Sequence, residues 1–105
     1  LAALSKRQQL TYIMQQHNID IMAIQETKQA FSSTESHDGY TFFFSGKQAN
    51  RGPAHYGVGF IISPQIKHCI VDCIPVNDRM MKLKISAKGR KYYILNLCSA
   101  QWQTE

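Results

Sequence analysis

No stretch of this sequence is apolar for long enough to cross a membrane. The longest apolar runs, such as Gly57 to Ile62, fall far short of the roughly 20 residues that a helical span needs. No charged-then-apolar secretory signal opens the sequence either, so a membrane partner is not expected. Cysteine is scarce and odd in number: Cys69, Cys73 and Cys98. That argues against a disulfide framework and for a reducing, intracellular compartment, nuclear or cytoplasmic. Cys69 and Cys73 stand four apart in an expected strand. Their Cα atoms would lie about 13 Å apart, too far for a bridge or a shared zinc. Internal repeats and low-complexity tracts are absent. Acidic residues are in deficit, 7 Asp plus Glu against 12 Lys plus Arg, a net charge of +5. The excess permits a polyanionic partner such as nucleic acid. A solvated basic surface accounts for it equally well.

What is present fits one small domain. The chain has 105 residues, too few for two domains. Hydrophobic residues make up 44% and charged residues 18%, ordinary values for a globular protein. The sequence starts at Leu1 and stops abruptly at Glu105, which reads as a piece of something longer.

Ser5-Lys6-Arg7-Gln8 fits a capping box. Leu10, Ile13, Met14 and His17 then recur at helical spacing, which predicts a helix over Lys6 to His17 with one apolar stripe. Asn18 suits a left-handed C-cap, and His17 reads as a helix-end residue near the last carbonyls rather than a ligand. Residues Gln29 to Gly39 are polar and read as a loop. Tyr40-Thr41-Phe42-Phe43-Phe44 is aromatic and β-favouring, a strand with both faces covered. Ser45 to Tyr56 carries Lys47, Arg51, His55 and Tyr56 among Gly and Pro. A basic loop with an aromatic suits a phosphate backbone with nearby bases. In isolation, a solvated hairpin loop accounts for it somewhat better.

Gly57 to Ile62 is the next expected strand, with glycines that imply a close approach by another backbone or a ligand. These glycines precede a strand rather than open a helix, so they are not a dinucleotide fingerprint. Ile66 to Ile74 is expected to be a strand ended by Pro75. Arg79 to Ser86 alternates, with Met81, Leu83 and Ile85 on one face and Lys82 and Lys84 on the other, as in a half-buried antiparallel strand. Lys88-Gly89-Arg90-Lys91 is a hairpin turn, and Tyr92 to Leu97 the last strand. One helix with these strands reads as α/β, a mixed α+β sheet.

The stretch Ile19-Asp20-Ile21-Met22-Ala23-Ile24-Gln25-Glu26-Thr27-Lys28 carries the chemistry. Its apolar start reads as a strand buried on both faces. Its polar tail then lies where the strand leaves the sheet, the usual place for ligands in α/β sheets. Glu26 is a carboxylate held at that end. It suits Mg²⁺, or Mn²⁺, which takes oxygen ligands and often one or two protein carboxylates. Taken alone, these ten residues are better accounted for by an ordinary strand-end carboxylate in a turn.

The order of these pieces changes that weighing. The helix is followed by Ile-Asp-Ile-Met-Ala-Ile-Gln-Glu-Thr-Lys, Gly-Tyr-Thr-Phe-Phe-Phe-Ser-Gly-Lys and Gly-Val-Gly-Phe-Ile-Ile. Asn-Asp-Arg then precedes the alternating strand. From about Leu4 to Leu97 the chain resembles the endonuclease/exonuclease/phosphatase superfamily, most of all the endonuclease domain of non-LTR retrotransposons. The resemblance implies that residues 1–105 are a partial domain, a fragment of a four-layer α/β sandwich of the deoxyribonuclease type. It implies a metal-dependent phosphodiesterase acting on DNA, with a reverse transcriptase downstream. By the same resemblance Glu26 is the catalytic, metal-binding glutamate, Arg79 lies near DNA phosphates, and the loop with Arg51, His55 and Tyr56 touches DNA.

The resemblance also marks departures. The family's first strand, with its metal-site asparagine, would precede Leu1. Its water-orienting aspartate–asparagine pair and its terminal aspartate–histidine pair would follow Glu105. Where the family carries Tyr-Ala-Pro, with a catalytic tyrosine, this chain reads Cys98-Ser99-Ala100, and cysteine has no phenol hydroxyl. A DNA endonuclease fragment inactive alone is one expectation. The alternative is a non-catalytic, diverged remnant with weak nucleic-acid binding. Phe42, Phe44, Phe60 and Ile62 are candidates for a sheet face left without its opposite sheet.

Overall fold

In the computed structural model, which describes residues 5–25, 27, 32–46 and 57–98, the chain first forms helix α1, Lys6–Gln16. Its start is capped as the sequence predicts. The Gln8 amide donates to Ser5 Oγ at 3.1 Å, and the Ser5 amide donates to Gln8 Oε1 at 2.9 Å. The His17 amide donates back to the Ile13 carbonyl, and Asn18 turns left-handed at φ 53°. The buried stripe differs from the expected one. Thr11 and Met14 are buried, whereas Ile13 is 43% exposed. Thr11 tolerates burial because its hydroxyl donates to the Gln8 carbonyl at 3.2 Å.

Four strands make the first sheet: β1 (Ile21–Gln25), β2 (Ser33–His37), β3 (Tyr40–Ser45) and β4 (Val58–Ile62). Their order is β1-β4-β3-β2, and every pairing is antiparallel. The 3₁₀ turn Lys67–Cys69 leads into β5 (Ile70–Asn77), followed by β6 (Met80–Ala87) and β7 (Arg90–Leu97). These form a second antiparallel sheet in the order β5-β6-β7. The two sheets lie face to face, with α1 against the outside of the first. This is the mixed α/β architecture expected from the sequence.

Alternation along β3 and β4 divides the core in two. Phe42, Phe44 and Ile61 point outward and bury against Met14 of α1. Val58, Phe60 and Ile62 point inward against Met81, Leu83, Ile85 and Cys98 of the second sheet and its end. Each such large side chain removed from water stabilises the fold by about 1.5–3 kcal/mol. The three consecutive Phe residues therefore do meet cover on both faces, with Phe43 packed on the inner cluster. The expectation of an uncovered face at Phe42, Phe44, Phe60 and Ile62 is overturned: all four are buried. The facing sheet is supplied by β5, β6 and β7.

Three further expectations are corrected. β1 is not buried on both faces; it is the edge strand of its sheet, and Ala23 and Gln25 are exposed. Part of the stretch read as a loop is β2, an edge strand whose polar residues face water on one side. Asp38-Gly39 closes the β2–β3 hairpin with φ values of 52° and 84°, the left-handed pair that such a two-residue turn requires. The strand expected over Ile66–Ile74 begins only at Ile70 and continues past Pro75 to Asn77. Proline is tolerated there because β5 is an edge strand and its register shifts beside Pro75.

Candidate functional site

Strand ends from both sheets meet at one rim. β1 runs into it at Gln25, which registers with Val58 at the start of β4. β3 ends there at Ser45, which also registers with Val58. Ser45 Oγ donates to the carbonyl of Asn77 at the end of β5, tying the first sheet to the second. Met80, which opens β6, registers with Leu97 of β7. The Cys98 amide donates to the Arg79 carbonyl at 2.7 Å. The rim is thus built by topology, since antiparallel order alternates strand starts and strand ends along one edge.

A pair of side-chain amides holds the rim together. Asn96 lies on the inner face of β7 and is 4% exposed. Its Nδ2 donates to the carbonyls of Ile24 at 3.0 Å and Gly59 at 2.8 Å. Gln25 Nε2 donates to the Leu97 carbonyl at 2.7 Å and approaches Asn96 Oδ1 at 3.4 Å. Two residues further, the Thr27 amide donates to the Gly57 carbonyl at 3.1 Å, while Thr27 Oγ1 is buried with no hydrogen-bond partner. The backbone is therefore anchored immediately before and immediately after Glu26. Sequence reasoning did not single out Asn96. The signal was present, because Asn96 shares the inward parity of Ile94 in an otherwise apolar stretch.

Glu26 itself lies outside the described residues, as do Arg51, His55 and Tyr56. Arg79 is described. It is half-buried in the turn between β5 and β6, and its amide donates to Asn77 Oδ1 at 2.8 Å. Gly57 and Val58, which follow the segment of Arg51, His55 and Tyr56 in sequence, are at the rim. The position read as a lost tyrosine, Cys98, is 2% exposed and packs in the inner core.

As to a metal, no three His, Cys, Asp or Glu side chains converge among the described residues. A single carboxylate suits Mg²⁺ as one ligand, since that ion keeps several waters. Cys73 is unsuited to ligate or to attack. Burial, with Asp72 beside it, pushes its thiol up to about 12, so it stays protonated at neutral pH. Next to the rim an open cavity of about 410 Å³ separates α1 from the first sheet, with Arg7, Gln25, Thr27 and Phe44 in its wall. Arg7 is committed there. Its guanidinium binds Glu35 through two hydrogen bonds of 2.8 and 3.1 Å and lies 5.3 Å from the Phe44 ring centre.

Residues 2–91 match the endonuclease/exonuclease/phosphatase family. The chain belongs to that family. Membership marks it as a nuclease- or phosphatase-type domain, and the family's fold agrees with the helix and two facing sheets. Among curated proteins, craniofacial development protein 2 of Tragulus javanicus is 31% identical over 75 residues, and that of Bos taurus 29%. Each match covers 71% of this chain and only 12% of the relative's length. No solved structure matches the chain. Among the described residues no helix is long and apolar enough to cross a membrane.

Proposed function

We propose that this chain is part of a Mg²⁺- or Mn²⁺-dependent phosphodiesterase domain that cleaves DNA, of the kind retrotransposon proteins carry ahead of a reverse transcriptase, acting inside the cell in the nucleus or cytoplasm. The observation that carries the reading is the sequence Gln25-Glu26-Thr27-Lys28 in a chain of this family, with its two described residues, Gln25 and Thr27, at a rim shared by both sheets. A bound metal would neutralise charge developing on the scissile phosphate. Glu26 would be the residue that holds it. Arg79 and the segment with Arg51, His55 and Tyr56 would meet the phosphate backbone, whose charge attracts cations without regard to sequence. The test is nicking of supercoiled plasmid in Mg²⁺ by a longer polypeptide that carries this stretch. Cleavage lost in EDTA and in Glu26→Ala supports the proposal. Cleavage that survives Glu26→Ala overturns it.

A second reading, a non-catalytic remnant that binds nucleic acid weakly, has one observation in its favour. Cys98 sits in the core where the resemblance expects a catalytic tyrosine. A longer polypeptide that folds, binds DNA and never nicks it would favour this reading over the first.

A further inference from the structure

An antiparallel sheet covered on one side usually turns polar residues to water on the other. The outer face of β5-β6-β7 departs from this. Its members follow from the register: Lys82 stands between Ile74 and Leu95, and Lys84 between Asp72 and Tyr93. Lys91 follows on β7, opposite Ser86. Tyr93 and Leu95 are 60% and 57% exposed, more than any other large apolar or aromatic side chain among the described residues. The cations beside them are not taken up by carboxylates. Among the described residues the ion pairs are Arg7–Glu35 and His37–Asp38. Lys82 and Lys84 instead bring Nζ to 6.0 and 5.8 Å from the Tyr93 ring centre. Asp72, across from Lys84, already accepts the Cys73 amide at 2.8 Å. Lys88 and Arg90 add charge at the exposed β6–β7 turn.

Charge and ring together decide what fits. A protein seated here would cover two ammoniums on the middle strand, and lysine is depleted at protein interfaces. A polyanion without bases would leave the Tyr93 ring unused. Duplex DNA keeps its base faces stacked on one another. A single strand offers both parts, phosphates for the lysines and free base faces for the ring. We infer that the outer face of β5-β6-β7 binds single-stranded DNA, with a base stacked on Tyr93 and the adjoining phosphates on Lys82, Lys84 and Lys91. The site uses none of the rim residues and needs no metal. Only the choice of DNA over RNA rests on the reading proposed above.

The test is fluorescence anisotropy with the 105-residue chain and a labelled oligothymidylate of roughly ten nucleotides, a span that one small domain covers. The single strand is expected to bind several-fold tighter than a duplex of the same length. Tyr93→Ala should weaken it about tenfold, the loss of one stacked base. Tyr93 is exposed, so its loss leaves the core intact, and Tyr93→Phe, which keeps the ring, should bind like the unaltered chain. Tyr92→Ala removes an exposed ring of opposite parity on the same strand and should change little. Lys82→Gln and Lys84→Gln should each flatten the slope of log affinity against log salt by about 0.7. A second copy would compete for this face, so the oligonucleotide should also drive associated chains toward monomer. Equal affinity for the duplex, tighter binding of oligouridylate, or binding unmoved by Tyr93→Ala would overturn the inference. So would displacement by polyglutamate of equal charge, or association between copies that Tyr93→Ala removes and the oligonucleotide leaves unchanged. Glu26→Ala should leave the affinity as it is, so failure here and failure of the cleavage reading are told apart.

Discussion

Asn96 occupies a position that strand alternation reserves for an apolar side chain, and its hydrogen-bonding neighbour, Gln25, stands at the end of an edge strand. Neither assignment follows from composition, because an asparagine in a strand equally marks a bulge or an exposed face. Its role depends on which carbonyls lie within reach, and those belong to strands far away in sequence. The third polar surprise is Cys73. Its sulfhydryl pKa rises from 9.0 to about 12 through burial and then through the Asp72 charge. Below about pH 9 the thiol is protonated whether the chain is folded or not, and the group contributes no pH dependence. Between about pH 9 and 12 the unfolded chain releases the proton while the folded chain keeps it. Stability should therefore fall with rising pH across that window. Urea denaturation at several pH values should show a steeper decline for the unaltered chain than for Cys73→Ala. Parallel curves would refute the shift.

The elements themselves were largely legible. The capping box, the left-handed Asn18 and the alternating β6 each follow from a local rule, and each is where that rule puts it. β2 was not legible from polarity, because an edge strand with one face in water need not be apolar. The Asp38-Gly39 pair was the readable signal, since that pair favours two-residue hairpins. The far end of β5 was hidden by Pro75, which usually stops a strand and here is absorbed at an edge. Gly59 was read correctly as a point of close approach. A Cβ there would lie 2.5 Å from the Phe43 carbonyl oxygen and 3.2 Å from the Ile24 side chain. The backbone oxygen belongs to the paired strand and cannot swing aside. Gly59→Ala should therefore cost about 1–3 kcal/mol, as other overpacking substitutions do. Chemical denaturation measures it, and a change under 0.5 kcal/mol (~a surface-substitution effect) would show that the strands can part more easily than this spacing implies.

For the molecule as a whole, burial of the inner faces moves the exposed apolar surface elsewhere. Ile74, Tyr93 and Leu95 are exposed on the outer face of the second sheet, alongside Lys82 and Lys84. Sizeable apolar surface favours association. Sedimentation equilibrium should show concentration-dependent self-association, reduced in Leu95→Lys; a strictly monomeric chain at high concentration would count against it. The same chain alone should not nick plasmid in Mg²⁺, because the groups the resemblance assigns to orienting water and engaging the phosphate are not among its residues. Its DNA affinity should be weak, indifferent to sequence and steeply reduced by salt, since cations supply it. A flat dependence of log affinity on log salt, or strong preference for one sequence, would refute that.

The sheet order has a further consequence, in time rather than in space. The β2–β3 hairpin and the β5-β6-β7 meander close through short turns. β1 must instead wait for β4, with the whole chain from Gln25 to Val58 drawn into a loop before its first pairing forms. Closing that loop carries an entropy cost that local hairpins avoid. β1 joins as an edge with β4 as its sole described neighbour in the sheet, so it is among the last pieces to settle during folding and among the first to be released. The end of β1 is thus among the described parts that settle late, and the reach of Asn96 from β7 to the Ile24 carbonyl helps to hold it once it has joined.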